Sequence, residues 1–213
     1  MHRRRLRLAL EQYFQRRALI YLLVIIIFVM GSLFGTIAVN IINDAQQIAL
    51  TTRLNAFFDG ATAVSTGSLN VESLRGITLA NITKLVGAIW VLGLSLIGSP
   101  LILLIIFTRG FILGFTTGFI VKKMGLKGVF MALVSLVPQN LFYIPAIIIM
   151  GVAGIAFTFS FLRSWRRHED GLGAQFIGYT LVAVFSVLLM AGGALVEGYA
   201  TPILISWING LWG

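Results

Sequence analysis

The sequence predicts an all-α, polytopic integral membrane protein. Its clearest sign is a set of stretches without any charged side chain: 18–43, 85–108, 128–162 and 171–196. Because a helix needs about 20 apolar residues to cross the hydrocarbon of a bilayer, each stretch is long enough to span it. Hydrophobic residues make up 58% of the chain and charged residues 11%, unlike an ordinary soluble domain. We therefore interpret residues 1–213 as one membrane domain with about five transmembrane helices.

The amino-terminal segment, residues 1–18, predicts an amphipathic helix on the cytoplasmic membrane surface. Apolar side chains recur there at helical spacing between basic ones. A cleaved signal peptide is the alternative, but the apolar run that follows is long and no small-residue cleavage site follows it cleanly. Because basic residues stay in the cytoplasm, the first span, 19–40, leads outward. Residues 44–84 then form a helical loop outside the cytoplasm.

A second basic cluster sets the parity of the remaining spans. It lies in a predicted cytoplasmic hinge, residues 163–170, and consists of Arg163, Arg166 and Arg167. The chain must therefore cross the membrane an odd number of times between the outer loop and the hinge. Three crossings fit best, and we divide them as 85–107, 108–123 and 128–150.

The second of these three spans is unusually short. It places three basic residues outside, against the positive-inside rule: Lys122, Lys123 and Lys127. A re-entrant hairpin over residues 110–123 is the alternative. The last span, 173–196, leaves Glu197 and an aromatic tail on the outer face, where Trp and Tyr rings suit the membrane interface.

Two glycine repeats predict close helix packing. One has a glycine at every fourth position, Gly110, Gly114 and Gly118, and a shorter one in the first span has Gly31 and Gly35. Such a strip lets the backbone of another helix approach closely, so the first span is a candidate mating surface for the longer strip. A permeation path lined by glycine is the alternative.

A polar and proline-rich segment is predicted to break an otherwise continuous apolar helix. It consists of Pro138, Gln139, Asn140 and Pro145. Two amide side chains in hydrocarbon need partners, because unsatisfied polar groups are costly there. A structural kink would supply them from nearby carbonyls, whereas a transporter would use the break as a midplane substrate site. The two interpretations differ in whether the amides face a hydrated cavity or a packed helix.

The outer loop carries an apolar face at helical spacing: Leu50, Leu54, Phe57 and Phe58. Helices lying on the bilayer account for this face, and a docking surface for a partner protein is the alternative. Acidic residues are too scattered in the loop to predict a hydrolytic pair or a metal site. We interpret His168-Glu169-Asp170 as a solvated turn. No catalytic residue, metal or cofactor is therefore expected.

Several motifs together resemble the stage II sporulation protein M family, and they cover nearly the whole chain. They are Gly31-Ser-Leu-Phe-Gly35, Trp90-Val-Leu-Gly-Leu-Ser95, Gly98-Ser-Pro100, the run from Phe107 to Phe119, Val134-Ser-Leu-Val-Pro-Gln-Asn140 with Ile144-Pro145, and Glu197-Gly-Tyr-Ala-Thr-Pro202.

The resemblance implies a non-enzymatic scaffold of the bacterial cytoplasmic membrane, located at the septum during engulfment in endospore formation. It implies two membrane-anchored partners, an amidase and a lytic transglycosylase that thin septal peptidoglycan. No nucleic-acid partner is expected, because the net charge of +9 marks membrane topology here. The alternative function is a transporter or permease component for a small molecule or lipid, with its site near Pro138. The sequence leaves both a monomer and a homodimer open.

Overall fold

The computed structural model describes the backbone of residues 2–65, 71–95, 97–167 and 172–212. It describes the side chains of residues 18–43, 45–56, 80–95, 97–162 and 173–198, apart from a few positions at the edges of these ranges. In this part of the chain the protein is all-helical, as predicted, and no strand occurs. The helices are α1 (His2–Ala38), α2 (Asp44–Ser65), α3 (Val71–Gly93), α4 (Gly98–Arg167) and α5 (Leu172–Trp212).

Three of these helices contain segments that are long and apolar enough to cross a membrane. They are Ala18–Ala38, Gly98–Leu162 and Gly173–Gly198. A shorter apolar segment, Ala80–Gly93, ends α3. Large apolar side chains such as Leu22, Leu33 and Leu188 point outward from these segments, which suits contact with lipid.

α1 ends in a turn that starts α2 directly. The amide of Asn40 donates to the carbonyl of Ile37 at 3.0 Å and closes the last turn of α1. Asn43 then caps α2, because its Oδ1 accepts from the amide of Gln46 at 2.9 Å while its own amide donates to Oε1 of Gln46 at 3.4 Å. This reciprocal pair is a capping box, which satisfies amides that have no partner inside the helix.

α4 is a hairpin of two helical arms. A straight helix of its 70 residues would be about 105 Å long, far more than the roughly 30 Å of bilayer hydrocarbon. The helix breaks at Gly125, whose φ of 58° is in the left-handed region that glycine adopts without steric cost. The first arm comprises residues 98–124 and the second arm residues 126–167. The arms are antiparallel, since Ile120 packs on Met131 near the turn and Ile106 contacts Gly151 farther away.

The predicted boundary between spans at residues 107 and 108 is wrong. α3 ends at Gly93, and the chain turns through residues 94–97 into a first arm that stays helical past these positions. The turn is tight, because a Cβ added at Gly98 would overlap the carbonyl oxygen of Leu92. Residues 110–123 therefore form neither a short separate span nor a re-entrant hairpin.

The predicted helix break at Pro138 and Pro145 is also wrong. Both prolines lie inside the second arm, and the only non-helical backbone within the described α4 is at Gly125. Helices packed among other helices tolerate proline, because the surroundings can satisfy the carbonyls that it leaves without a donor. The sequence does place a helix boundary between residues 123 and 128, and the turn lies there.

The apolar segments alternate in direction through the bundle. α1 runs parallel to the first arm, since Gly31 lies against Phe107 and Gly35 against Phe111. α3 and α5 are antiparallel: Trp90 lies beside Thr180, whereas Ile82 lies near Glu197. The start of the α1 apolar segment, the turn 94–97 and the end of the second arm are therefore at one end of the bundle. The turn at Gly125 and the end of α1 are at the other.

A single large core joins these segments. Its fully buried apolar side chains come from α1, α3, both arms of α4 and α5, among them Val24, Ile89, Ile102, Met150 and Met190. Hydroxyl groups add links between helices inside this core. Thr158 donates to the carbonyl of Gly93 at 3.0 Å, and Tyr179 donates to the carbonyl of Ile89 at 2.9 Å. The five apolar segments thus form one packed unit.

Candidate functional site

The glycines of α1 lie against the backbone of the first arm. A Cβ added at Gly31 would overlap the carbonyl oxygen of Phe107, and one added at Gly35 would overlap that of Phe111. Two helix backbones can approach this closely only where no side chain separates them.

The longer glycine strip meets α1 in the same way. A Cβ added at Gly110 would overlap the carbonyl oxygen of Phe28, and one added at Gly114 would overlap that of Ser32. Thr36 links the same helices, because its hydroxyl donates to the carbonyl of Gly114 at 3.1 Å. The two glycine strips therefore face each other along the interface between α1 and the first arm.

The interface is looser at its last glycine and ends in a lysine contact. An added Cβ at Gly118 would lie 3.2 Å from Cγ2 of Thr36, which can shift more easily than backbone. Beyond it, Nζ of Lys122 donates to the carbonyl of Val39 at 3.1 Å. A cation here satisfies a carbonyl at the negative end of the α1 dipole. Sequence reasoning considered Lys122 only for topology and missed this role.

A polar cavity of about 400 Å³ lies where the apolar segments of the bundle meet. Residues of α1, α3, both arms of α4 and α5 line it. Its depth is near the middle of the α1 apolar segment, because Phe28 lines it and also packs on Gly110. The polar residues on its wall are Asn81, Arg109, Thr116, Gln139, Asn140, Tyr143 and Glu197.

Two charged side chains line this cavity. Arg109 comes from the first arm and Glu197 from α5, and no ion pair joins them among the described residues. Glu197 instead accepts a hydrogen bond of 2.9 Å from the hydroxyl of Tyr143. The sequence predicts Glu197 on the outer face, just past the last span; the apolar segment of α5 ends at Gly198, and the helix itself continues to Trp212.

The two amides singled out in the sequence face the same cavity. Gln139 is only 9% exposed, and its Oε1 is buried without a hydrogen-bond partner among the described residues. Asn140 donates from Nδ2 to the carbonyl of Leu136 at 2.7 Å, within its own helix. Both residues therefore contribute to the wall of the cavity, and Oε1 of Gln139 is enclosed by protein atoms behind that wall.

A second, largely apolar groove lies between α1 and the two arms. Its volume is about 540 Å³, and Asn140 and Pro145 line it together with Gly114 and Thr36. Leu141 on its rim is strongly exposed. The structure thus places Pro145 on a different surface from Gln139, and Pro138 is not among the residues that line either space.

The apolar face predicted for the outer loop is partly used by the fold itself. Leu54 is half-buried and packs on the small cluster of Ile120, Met131 and Ala132 near the Gly125 turn. Leu50 is also half-buried. α2 also contacts α5. The side chains of Phe57 and Phe58, those of the amino-terminal segment and of the aromatic tail, and the motif at residues 168–170 lie outside the described residues.

Part of this site could have been found from the sequence. Gln139 and Tyr143 are four residues apart and so lie on one helix face, as do Arg109 and Thr116 at a spacing of seven. Nothing in the sequence pairs Tyr143 with Glu197, because they come from different helices.

Comparison with protein-family models gives a match over most of the chain. The family model described as SpoIIM, Stage II sporulation protein M, matches residues 24–202. This range includes both glycine strips and every residue that lines the polar cavity. No curated protein and no solved structure matches the chain.

Proposed function

The chain belongs to the stage II sporulation protein M family, and on this premise we propose that it is a membrane scaffold of endospore formation. It holds two membrane-anchored peptidoglycan hydrolases, an amidase and a lytic transglycosylase, at the septal membrane of the bacterial cell. There they thin the septal wall so that the mother-cell membrane can migrate during engulfment. The chain itself carries out no reaction in this proposal. The family match over most of the chain is the observation that carries it.

The glycine interface supports a scaffold on physical grounds. A scaffold must present its partner-binding surfaces in a fixed relation to one another. Backbone contact between α1 and the first arm leaves little freedom for either helix to rotate, since Gly31 and Gly114 each lie against a carbonyl group. The hydroxyl of Thr36 adds a hydrogen bond across the same interface.

Depletion in sporulating cells tests this proposal. With the protein depleted, fluorescently tagged amidase and transglycosylase should spread over the mother-cell membrane, and septal thinning should stop. Restoring the chain should return both hydrolases to the septum, and both should co-purify with it in detergent. Hydrolases that reach the septum normally without the protein, or purified protein that cleaves peptidoglycan alone, would overturn the scaffold.

The polar cavity favours a second function, the binding or transport of a small polar solute or a lipid headgroup. The observation that favours it is a cavity of about 400 Å³ between the helices, with Arg109, Asn140 and Glu197 on its wall. Polar side chains at this depth among apolar helices are costly unless they have partners. Uptake or binding by the purified protein in vesicles tests this function separately from hydrolase localisation.

A further inference from the structure

An arginine, Arg109, lines the polar cavity at the depth of the apolar segments. Arg109 lies next to Gly110, which packs on the middle of the α1 apolar segment. No hydrogen bond or ion pair of Arg109 occurs among the described residues. An unpaired guanidinium at this depth is costly, and its fork of N–H donors matches the oxygens of a carboxylate or phosphate. One part of a fitting ligand is therefore an anionic group.

The rest of the polar wall is rich in acceptors. Oε1 of Gln139 is buried and unpartnered within the described structure, although Gln139 lines the cavity. Asn140 uses its amide N–H on Leu136, which leaves its carbonyl oxygen. Glu197 accepts from Tyr143 with one oxygen and retains the other. Of these acceptors Glu197 is the charged one, so the second part of a fitting ligand carries N–H groups that donate to its carboxylate.

The net charge of the cavity indicates whether one ligand carries both the anionic group and the N–H groups. Ionised Glu197 and Arg109 together give the cavity no net charge, and a lone anion or cation would add an unbalanced charge to a poorly polarisable interior. A ligand with both charges satisfies both walls and stays neutral. We propose that the cavity binds a zwitterion, with its carboxylate or phosphate at Arg109 and its ammonium at Glu197.

The size and exposure of the cavity admit two sources of this chemistry. A volume of about 400 Å³ is within the usual range of small-molecule sites. The side chains of Arg109 and Asn81 are exposed, so the cavity reaches the surface of the bundle beside them. A free amino acid and the phosphoethanolamine headgroup of a lipid carry the same pair of charges. This inference rests on the second proposed function and is independent of the scaffold.

The test measures binding to purified, delipidated full-length protein. Native mass spectrometry compares phosphatidylethanolamine with the anionic lipid phosphatidylglycerol, and thermal unfolding compares L-alanine with acetate and with ethylamine. We expect one zwitterion to bind about tenfold more tightly than its single-charge analogues. Preference for the lipid identifies a headgroup as the source, and preference for L-alanine identifies a free solute.

Variants of Arg109 and Glu197 test whether these two charged side chains cause the preference for a zwitterion. Arg109→Gln and Glu197→Gln should each weaken zwitterion binding by about tenfold, and Arg109→Lys should retain more of it. Thr117→Val is the matched control, because Thr117 lines the apolar groove and not this cavity. If either charge variant fails to fold, Glu197→Asp, which keeps the charge and shortens its reach, should still weaken zwitterion binding relative to Thr117→Val.

The possible outcomes separate the proposals. Anions that bind as tightly as zwitterions, or zwitterion binding that survives both charge variants, would overturn the zwitterion assignment while leaving a ligand site. Absence of binding by every probe would overturn the second function as well. Hydrolase localisation in Arg109→Gln cells reports on the scaffold alone, and there it should be normal.

Discussion

The hydroxyl of Tyr143 donates a hydrogen bond of 2.9 Å to Oε2 of Glu197, joining the second arm of α4 to α5 at the wall of the polar cavity. The two residues belong to different helices and meet only in the folded bundle. A hydrogen bond to a charged group is roughly twice as strong as one between neutral groups, and both residues here are half-buried. This bond therefore holds α5 in place as well as shaping the cavity.

Removing this hydroxyl should destabilise the bundle measurably. Tyr143→Phe leaves Glu197 without its donor, and we expect a loss of about 1.5–3 kcal/mol, seen as a lower midpoint of thermal unfolding in detergent. Thr108→Val is the control, because the hydroxyl of Thr108 is exposed and bonds only to Leu104 in its own helix. Equal midpoints for Tyr143→Phe and the wild-type chain would show that the bond contributes nothing to stability.

The glycine interface should not accept a larger side chain. Gly114→Leu places atoms where the carbonyl of Ser32 lies, so α1 must move away from the first arm. Overpacking of this kind costs about 1–3 kcal/mol or more, and the monodisperse fraction in size-exclusion chromatography should fall sharply. Phe115→Leu, one position farther along the helix, should retain most of that fraction. Similar losses for both changes would contradict tight packing at Gly114.

The turn at Gly125 should depend on backbone conformation and not on space. Gly125→Ala meets no neighbouring atom within 4 Å, but its φ of 58° is unfavourable for alanine. We expect a loss of about 1–2 kcal/mol in unfolding free energy. Gly87→Ala is the matched control: it also meets nothing within 4 Å, but it lies in α3, where alanine favours the helix. A stabilising Gly125→Ala would exclude the left-handed turn.

The alternating helices define which sites face the same side of the membrane. The chain contains no cysteine, so single cysteines can be labelled in intact protoplasts with a membrane-impermeant maleimide. With the amino terminus inside and five spans, Ser65→Cys and Leu126→Cys should react, whereas Ser95→Cys and Ser164→Cys should not. Labelling of Ser164→Cys from outside would contradict this topology.

The outward face of α2 is where we expect a hydrolase to dock. Ile48 is 69% exposed and lies about 120° around the helix from half-buried Leu54, so a change there spares the packed contact. Ile48→Glu should reduce the septal signal of a tagged hydrolase about tenfold at limiting expression, as loss of one apolar hot spot would. Ile48→Leu should leave that signal unchanged. An undiminished signal in Ile48→Glu cells would remove α2 as the docking face.

In the outer loop, the spacing of apolar residues along the sequence did not predict what the apolar side chains contact. Leu50 and Leu54 recur at helical spacing, which correctly indicated a helix. The pattern could not say what covers these side chains. In the structure Leu54 packs on Ile120 and Met131 of the same chain, which lie far away in sequence.

The sequence by itself determined what depends on near neighbours along the chain. Uncharged apolar runs specify helices suited to a membrane, and glycines four residues apart specify a flat helix face, because helix periodicity relates residues only three to seven positions apart. The tertiary structure decided which faces meet. The second arm stays helical through Pro138, and Arg109, Gln139 and Glu197 come together at one cavity. Such contacts between separate helices depend on how the whole bundle packs, and they leave no periodic pattern in the sequence.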